Sequence, residues 1–465
     1  MNRKSWLVAA ALAVTFLAFY LSNLPLVPFH PDESSWLYMS RDFAGVLTRL
    51  APPGFRPDLW YLGDDAALIE YRWLNAPLAK DLIGLSWWLR GFTAADVNTD
   101  WSWPLTWDEN LAAGHMPRSA LLWAGRLPGA VLSALSAVLL FGIAYQARGL
   151  GAGLAAALLL GLNPLVLLHG RRAMAEGALL FFSLLAVWGI VRLAQSVGSP
   201  RRRALRLGLW AVAAGGAVGL ALCSKQSAIA LLPAAAATVA VPALRPSNGI
   251  SLRRRLSVLL ALWLGLGLGS GLTFWALNPI LYRDPLGGVQ RMVAARADLA
   301  RRQTVTQAAF LPDTVTPDVL SRLRAALLEV YFRPPAVWDL PVYLDQLAPQ
   351  AAVYFAQPLQ RLERGPAWGV LWVGLGVAGA AFSALRLWQD RLGQKSQAEQ
   401  AVWWWALATL AVTLLATPFD WQRYFLSLVP LACVFAALGA QMLARPVVWL
   451  ISSRLSGKTA QAAML

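Results

Sequence analysis

Long apolar runs dominate this chain, and polar segments of very unequal length separate them. A helix that crosses a bilayer needs roughly 20 apolar residues, and ten runs come close to that length or exceed it. The ten predicted spans are 6–27, 119–146, 150–169, 177–195, 208–224, 226–243, 257–279, 367–386, 400–418 and 424–444. An even number of spans places both ends of the chain on the same side of the membrane.

The composition agrees with this pattern. Hydrophobic residues make up 58% of the 465 residues and charged residues only 14%, whereas a soluble domain averages about 45–50% apolar and about 25% charged residues. The sequence therefore predicts an all-α integral membrane protein, a bundle of about ten transmembrane helices. The first run is long for a cleaved signal peptide and no A-x-A site follows it, so we expect it to remain as a span.

The distribution of charge predicts which side of the membrane is which. The side of the N-terminus has 18 basic residues and only two acids, Asp390 and Glu399. The entire net charge of +16 therefore lies on that side. The other side has 22 basic and 22 acidic residues. The positive-inside rule makes the basic side cytoplasmic. The basicity is thus a signal of orientation in a plasma or bacterial inner membrane, and nucleic-acid binding is not needed to explain it.

Two loops are much longer than the rest, and both face outward in this topology. They cover 28–118 and 280–366, and the first holds 12 of the 24 acidic residues. Its stretch 76–92 has the pattern of an amphipathic helix lying on the membrane. Prolines divide the second loop, which predicts short helices and turns. We expect one membrane domain, 1–465, with two external caps.

Charged residues at the outer ends of the spans are the candidate chemistry, because a charge in the bilayer costs roughly 2.5–3.5 kcal/mol at its centre. They are Asp32, Glu33, Arg126, Arg171, Arg172, Glu176, Lys225, Asp420 and Arg423. Cations at this level could bind a phosphate that a lipid tail holds at the headgroups. A nearby carboxylate could accept the proton of an incoming hydroxyl. Together these groups favour transfer from a lipid phosphate.

Each of these residues also has a purely structural interpretation. The Asp32–Glu33 pair is compatible with a solvated loop, and the two adjacent arginines could flank a helix end. Lys225 could extend to the interface, and Arg423 could form an ion pair with Asp420. Histidines also fall on the outer side, of which His30 and His169 are the candidate ligands of a divalent metal, although they form no spacing motif.

Four segments resemble motifs of the GT-C class of glycosyltransferases that use polyprenyl-phosphate sugars, the group of the protein O-mannosyltransferases and the lipid A aminoarabinose transferase. "HPDESSWLY" resembles the acidic motif of the first external loop, and "WLNAPLAKDLIGL" the "HPPLGK"-like segment. "HGRRAMAEGALLFFSLLAVW" and "DWQRYFLSLVP" resemble two later external turns, and "CSKQSAIALLP" is a looser fifth match. The order of the motifs and the two long loops match as well.

The resemblance implies a role for each matching residue. Asp32, with Glu33 beside it, would be the base that deprotonates the acceptor. Arg171 or Arg172, Lys225 and Arg423 would bind the donor phosphate. The supporting residues would be Glu176, Lys80, Arg126 and Asp420. Asn75 and Ala76 depart from the "HPP" pattern, which leaves any metal or phosphate role of that segment open.

The sequence thus favours an inverting membrane glycosyltransferase with a lipid-phosphate sugar donor. The sugar and the acceptor, whether lipid, glycan or protein, stay open. Two alternatives remain: a transporter or flippase of lipid-linked sugars, for which the glycine-rich run 263–272 is the hint, and a non-catalytic membrane subunit with the same fold.

Overall fold

The computed structural model describes residues 2–50, 65–197, 204–246, 251–358, 360, 365–389 and 397–444. Part of the basic run 201–206 and the charged residues beyond 444 lie outside these residues. Within them helices are the regular secondary structure, joined by turns and irregular segments, with a single isolated bridge between Val315 and Phe419. The helices are α1 (Arg3–Ser22), α2 (Pro31–Met39), α3 (Asp42–Leu50), α4 (Ala66–Leu74), α5 (Pro77–Leu89), α6 (Trp107–Ala112), α7 (Ser119–Arg148), α8 (Leu150–Gly161), α9 (Pro164–His169), α10 (Glu176–Val197), α11 (Ala204–Ser224), α12 (Leu231–Leu244), α13 (Leu252–Leu277), α14 (Pro285–Phe310), α15 (Val319–Leu327), α16 (Leu344–Phe355), α17 (Pro366–Gln389), α18 (Gln397–Ala416) and α19 (Gln422–Ala444).

Eight helices of the described residues are long and apolar enough to cross a membrane, and the chain is a multi-pass membrane protein. They are α1, α7, α10, α11, α12 with the turn before it, α13, α17 and α19. The other two predicted spans are less regular. The span 150–169 consists of α8 and α9, because Pro164 begins a new helix that Asn163 caps. The span 400–418 corresponds to α18, whose polar first turn and three tryptophans make it less apolar.

Contacts at the helix ends show that both of these segments nevertheless run the length of the bundle. At one end, Arg148 of α7 pairs with Glu399 of α18, with 2.8 Å between Nε and Oε1. At the other end, Thr417 follows α18 and accepts a hydrogen bond from Thr316 of the second loop. The α8–α9 segment likewise starts beside Arg148 and ends near Pro28, whose carbonyl oxygen lies 3.4 Å from Nε of Arg172. Counting both, the described chain passes along the bundle ten times.

Close packing of small residues explains the glycine-rich run. Gly265 and Gly269 of α13 lie against α11, and a Cβ on Gly269 would collide with the carbonyl oxygen of Val212. Gly379 and Gly439 allow the same close approach between α17 and α19. In a membrane, where helices gain little from the hydrophobic effect, such contacts stabilise the bundle. The run 263–272 therefore has a packing role.

The external segments form a cap over one end of the bundle. The amphipathic stretch of the first loop is α5, which buries Ala79, Ile83 and Trp87 against the protein and leaves Leu89 exposed. In the second loop the expectation of short helices alone was wrong. Helix α14 continues for 26 residues, because no proline interrupts the chain between 285 and 312.

Candidate active site

The segment "HPDE" folds into the start of α2 and gives its two acids opposite environments. Pro31 takes the first helical position, and the backbone N–H of Asp32 donates to Nδ1 of His30 at 3.1 Å. Oε2 of Glu33 accepts the backbone N–H of His30 at 3.0 Å, which completes a capping box. The Glu33 side chain is fully buried, whereas that of Asp32 is 25% exposed.

Glu33 joins three segments of the protein. Its oxygens accept from Nε and Nη2 of Arg126, at 2.8 and 2.7 Å, and from the backbone N–H of Ala173 at 2.8 Å. Burial alone would raise the pKa of Glu33, but the charge and hydrogen bonds of Arg126 outweigh it, and the pKa lies below its ordinary value. Glu33 is therefore an ionised group that fixes α2 to α7 and to the turn after α9.

Asp32 belongs to a different network, centred on Arg423 of α19. Nη1 of Arg423 lies 2.6 Å from Oδ2 of Asp32, and its Nε lies 2.7 Å from Oδ2 of Asp339. Nε2 of His30 is 3.2 Å from the same Asp339 oxygen. Burial tends to raise the pKa of Asp339, but Arg423 and His30 hold it far below its usual range. Residues nearly 400 positions apart thus meet around one guanidinium.

Among the described residues, this cluster contains the one group of three His, Cys, Asp or Glu side chains that lie close enough together to hold a metal ion. One ligand atom from each of His30, Asp32 and Asp339 lies within 4.8 Å of the others, and one imidazole with two carboxylates suits several divalent metals. Arg423 contacts both carboxylates, and its single positive charge balances only one of them. His169, the other predicted metal ligand, is buried outside this trio.

A cavity of about 340 Å³ lies on the other side of Arg423. Three cations line it: Lys225, Arg296 and Arg423. Lys225 pairs with Glu176, with 2.9 Å between Nζ and Oε1. Arg296 of α14 has no acidic or hydrogen-bond partner among the residues that the structure describes. Burial and the neighbouring Arg423 lower the pKa of Arg296. Among the described residues, Arg296 is therefore the lining cation without a direct counter-ion.

The paired arginines of the third external turn do not line this cavity. Both are buried: Arg171 donates to Tyr354 at 2.8 Å and to Gln360, and Arg172 to the carbonyl oxygens of Val337 and Pro28. These partners are neutral groups of the two external loops, and Nε of Arg171 also donates to the carbonyl oxygen of Leu167 in α9. The two arginines therefore tie those loops to the bundle. Which of them contacts a phosphate stays a prediction.

The residues predicted to support the site belong to separate ion-pair networks. Lys80 and Arg72 share the buried carboxylate of Asp42, with 2.6 Å from Nζ of Lys80 to Oδ2. Asp420 pairs with Arg333 at 3.0 Å and not with Arg423, so the structural pairing considered for these two neighbours is not formed.

Sequence reasoning missed three residues of the site: Arg296, Asp339 and Tyr424. Arg296 is one of many arginines in the second loop, and Asp339 is a single acid among its prolines. Neither residue lies at the outer end of a predicted span, which is the position that made the other charged residues candidates. Tyr424 is part of the quoted "DWQRYFLSLVP" segment, but its place in the cavity wall depends on how α19 begins.

Comparison with known proteins agrees with this description. Residues 69–266 match the model of the family described as dolichyl-phosphate-mannose-protein mannosyltransferase. No curated protein sequence matches the chain. The solved oligosaccharyltransferase of Archaeoglobus fulgidus, in its apo form, has a TM-score of 0.51 at 14% identity, over 98% of this chain and 52% of that one. This chain thus spans about half the length of that protein.

Two other solved structures are similar at lower scores. The protein O-mannosyltransferase complex Pmt1-Pmt2 of S. cerevisiae, bound to the sugar donor, gives a TM-score of 0.44 at 18% identity, over 61% of this chain and 34% of that one. ArnT of Cupriavidus metallidurans, bound to undecaprenyl phosphate, gives 0.34 at 16% identity, over 96% and 79%. The archaeal structure supports the fold, and the family match covers residues 69–266, less than half of the chain; together they confirm the predicted resemblance to polyprenyl-phosphate-sugar glycosyltransferases.

Proposed function

We propose that this chain transfers a sugar from a polyprenyl-phosphate carrier to an acceptor hydroxyl at the outer face of the membrane. One observation supports this most strongly: Arg423 connects a partly exposed carboxylate, Asp32, with a cavity that contains an unpaired cation, Arg296. A base beside an anion site is what the transfer requires. The match of residues 69–266 to a mannosyltransferase family supports the same reaction class.

The charges of the cavity suit a phosphate ester. Lys225 pairs with Glu176, and Arg423 pairs with two carboxylates, which leaves one negative charge on the far side of Arg423 from the cavity lining. Only Arg296 lacks a partner among the described residues. A sugar–phosphate–lipid diester carries one negative charge, which would satisfy Arg296 and receive hydrogen bonds from the other two cations. We assign the donor phosphate to Lys225, Arg296 and Arg423.

In the proposed reaction Asp32 acts as the base. Its Oδ2 is held by Arg423, while Oδ1 has no hydrogen-bond partner among the described residues and is available for the acceptor's proton. The acceptor oxygen forms a bond to the anomeric carbon as the bond from that carbon to the phosphate oxygen breaks. The electron pair of the broken bond stays on the phosphate, and attack from the opposite face inverts the anomeric carbon. Glu33, fully buried, holds α2 in place.

Placing the site outside follows from the charge distribution. Asp32 at the start of α2 and Arg423 at the start of α19 lie at the ends of the bundle opposite the basic helix ends, which the positive-inside rule assigns to the cytoplasm. Nucleotide sugars are cytoplasmic, so a lipid-linked donor suits an outward-facing site.

The test is donor turnover in membranes that contain the overexpressed chain, followed by mass spectrometry of released polyprenyl phosphate across a panel of polyprenyl-phosphate sugars. We expect the native chain to consume at least one donor and Asp32→Asn to lose this activity. The matched control is Asp345→Asn, an exposed acid of the second loop, which should keep full activity. Full activity of Asp32→Asn would refute the base assignment. No turnover by the native chain would favour the transporter or the non-catalytic subunit.

A further inference from the structure

One buried side chain, Gln422, fixes the start of α19 to the second external loop. Its Oε1 accepts the backbone N–H of Ala336 at 2.7 Å. Its Nε2 donates to the carbonyl oxygen of Pro334 at 3.1 Å and to Oε2 of Glu329 at 3.3 Å. Three positions of the loop therefore meet at one amide.

This connection lies beside the ion pairs of the proposed base. Gln422 directly precedes Arg423, and Asp339 lies three residues beyond Ala336. Nε of Arg423 is 2.7 Å from Oδ2 of Asp339, and its Nη1 is 2.6 Å from Oδ2 of Asp32. A shift of Gln422 relative to the loop would therefore move the guanidinium that holds Asp32.

Glu329 is the ionisable partner of Gln422, and its side chain is 3% exposed. It lies in the π-helical turn Leu328–Phe332 that follows α15. Nη1 of Arg333 donates to Oε1 of Glu329 and, at 3.0 Å, to Oδ2 of Asp420, so two carboxylates share one guanidinium. Because Arg333 is half exposed and a cavity of about 580 Å³ is lined by all three side chains, water can reach this cluster.

The surroundings of Glu329 place its titration near neutral pH. Burial raises the pKa of Glu329 to about 7, against the opposing charge of Arg333, and the Asp420 carboxylate adds to the rise. Burial raises the pKa of Asp420 as well. Helix α17 packs against the same turn and has no charged residue before Arg386, near its other end. The remaining charged groups that line the cavity are Asp313, Asp318 and Arg324.

We propose that Glu329 is a positioning residue of the transfer, which holds Gln422, and through it Arg423, in place while it is ionised. Arg423 in turn orients Asp32. This inference rests on the proposed function. A carboxylate accepts hydrogen bonds from both Arg333 and Gln422, whereas a protonated Glu329 uses one oxygen as a donor and attracts Arg333 less. Protonation from the outer solution therefore weakens the connection and slows the transfer.

The experiment compares kcat of the native chain and of Glu329→Gln about one pH unit above and one unit below the pKa of Glu329, with the polyprenyl-phosphate sugar that the native chain consumes. At the higher pH we expect the variant to be roughly 10-fold slower, the lower end of the range for a lost hydrogen bond to a charged group. At the lower pH the native Glu329 is mostly protonated, so the two kcat values should converge. Both chains share the pH dependence of Asp32, so the ratio of their kcat values reports on Glu329. KM for the donor should stay the same, because Glu329 does not line the donor cavity.

Stability separates this positioning role from a merely structural one. The folded pKa of Glu329 lies above its unfolded value of about 4.3, so its contribution to stability is complete below the unfolded value and is lost as the pH rises through the folded pKa. At the higher pH, Glu329→Gln removes a buried charge. Its thermal midpoint should therefore equal or exceed that of the native chain, although its kcat is lower. A midpoint below the native one would make Glu329 a structural residue and overturn the inference.

Two further variants complete the test. Asp313→Asn is the matched control, since Asp313 is an exposed acid that lines the same cavity, and its kcat should match the native value at both pH values. In a Gln422→Leu background, Glu329→Gln should have little further effect, because the two residues act through one contact. Equal kcat ratios at both pH values, a rise in KM alone, or additive effects of the two substitutions would overturn the inference while the native chain remains active. An inactive native chain would instead refute the proposed function, and the inference with it.

Discussion

At the residue scale, the neighbouring acids Asp32 and Glu33 have different environments, although nothing in the local sequence distinguishes them. Asp32 and Glu33 were predicted together, because a paired carboxylate beside a span gives no reason to separate them. The structure buries Glu33 among four hydrogen bonds and leaves Asp32 partly exposed beside Arg423. The helical turn that separates them depends on Pro31 and the His30 cap, and the partners of each acid come from distant segments. Those partners cannot be read from local sequence.

Glu33→Gln should destabilise the protein more than Asp32→Asn. The substitution leaves Arg126 buried without its counter-charge, and breaking a buried pair in this way costs about 3–5 kcal/mol. Thermal unfolding of the purified protein in detergent measures the difference. Asp32→Asn should shift the midpoint little, because Asp32 is partly exposed and Arg423 keeps Asp339. Equal midpoints for the two variants would contradict the structural role of Glu33.

The same pair gives a pH dependence of stability. The pKa of Glu33 is lower in the folded protein than in the unfolded chain, so its contribution is complete above the unfolded value of about 4.3. It is lost as the pH falls through the lower folded pKa. The midpoint of the native protein should therefore fall on acidification below that unfolded value, and the midpoint of Glu33→Gln should fall less over the same range.

At the element scale, apolar runs predicted the helices of the bundle well, because length and hydropathy decide whether a segment crosses a membrane. The break at Asn163–Pro164 could have been foreseen from the proline, whose preceding residue disfavours a helical backbone. The external elements were harder. Helix α14 has no long apolar run, and its packing over the cavity results from contacts with α4 and with the turns on either side of it.

Helix α14 matters for the proposed function because it brings Arg296 to the cavity. Arg296→Gln should raise KM for the lipid donor roughly 10-fold or more, since it removes the unpaired cation that the phosphate would neutralise, and change kcat less. Arg291→Gln provides the control on the same helix: Arg291 lies over the Trp73 ring, 5.8 Å from its centre, and does not line the cavity. If both variants had the native KM, Arg296 would not bind the donor phosphate.

At the scale of the whole molecule, the asymmetry of charge and the position of the site are linked. The predicted ten-span topology assigns the net charge of +16 to the side of the N-terminus, while Asp32, Arg423 and the cavity lie at the opposite ends of the helices. The predicted separation depends only on the number of spans and on the positions of the charged residues between them, both of which are read from the sequence. The sequence could not predict the site itself, since α2, α14, α19 and the loop around Asp339 meet only when the bundle closes.

The orientation is testable in intact cells with a membrane-impermeant maleimide. Cys223 and Cys433 are buried, and replacing both with alanine gives a background without thiols. We expect Asp345→Cys, in the exposed part of the second loop, to react, and Lys4→Cys, in the exposed first turn of α1, to react only after the membrane is permeabilised. The reverse pattern would place the site in the cytoplasm, where nucleotide sugars are available, and would remove the argument for a lipid-linked donor that rests on orientation. The cavity and its unpaired Arg296 would then need a soluble anionic ligand.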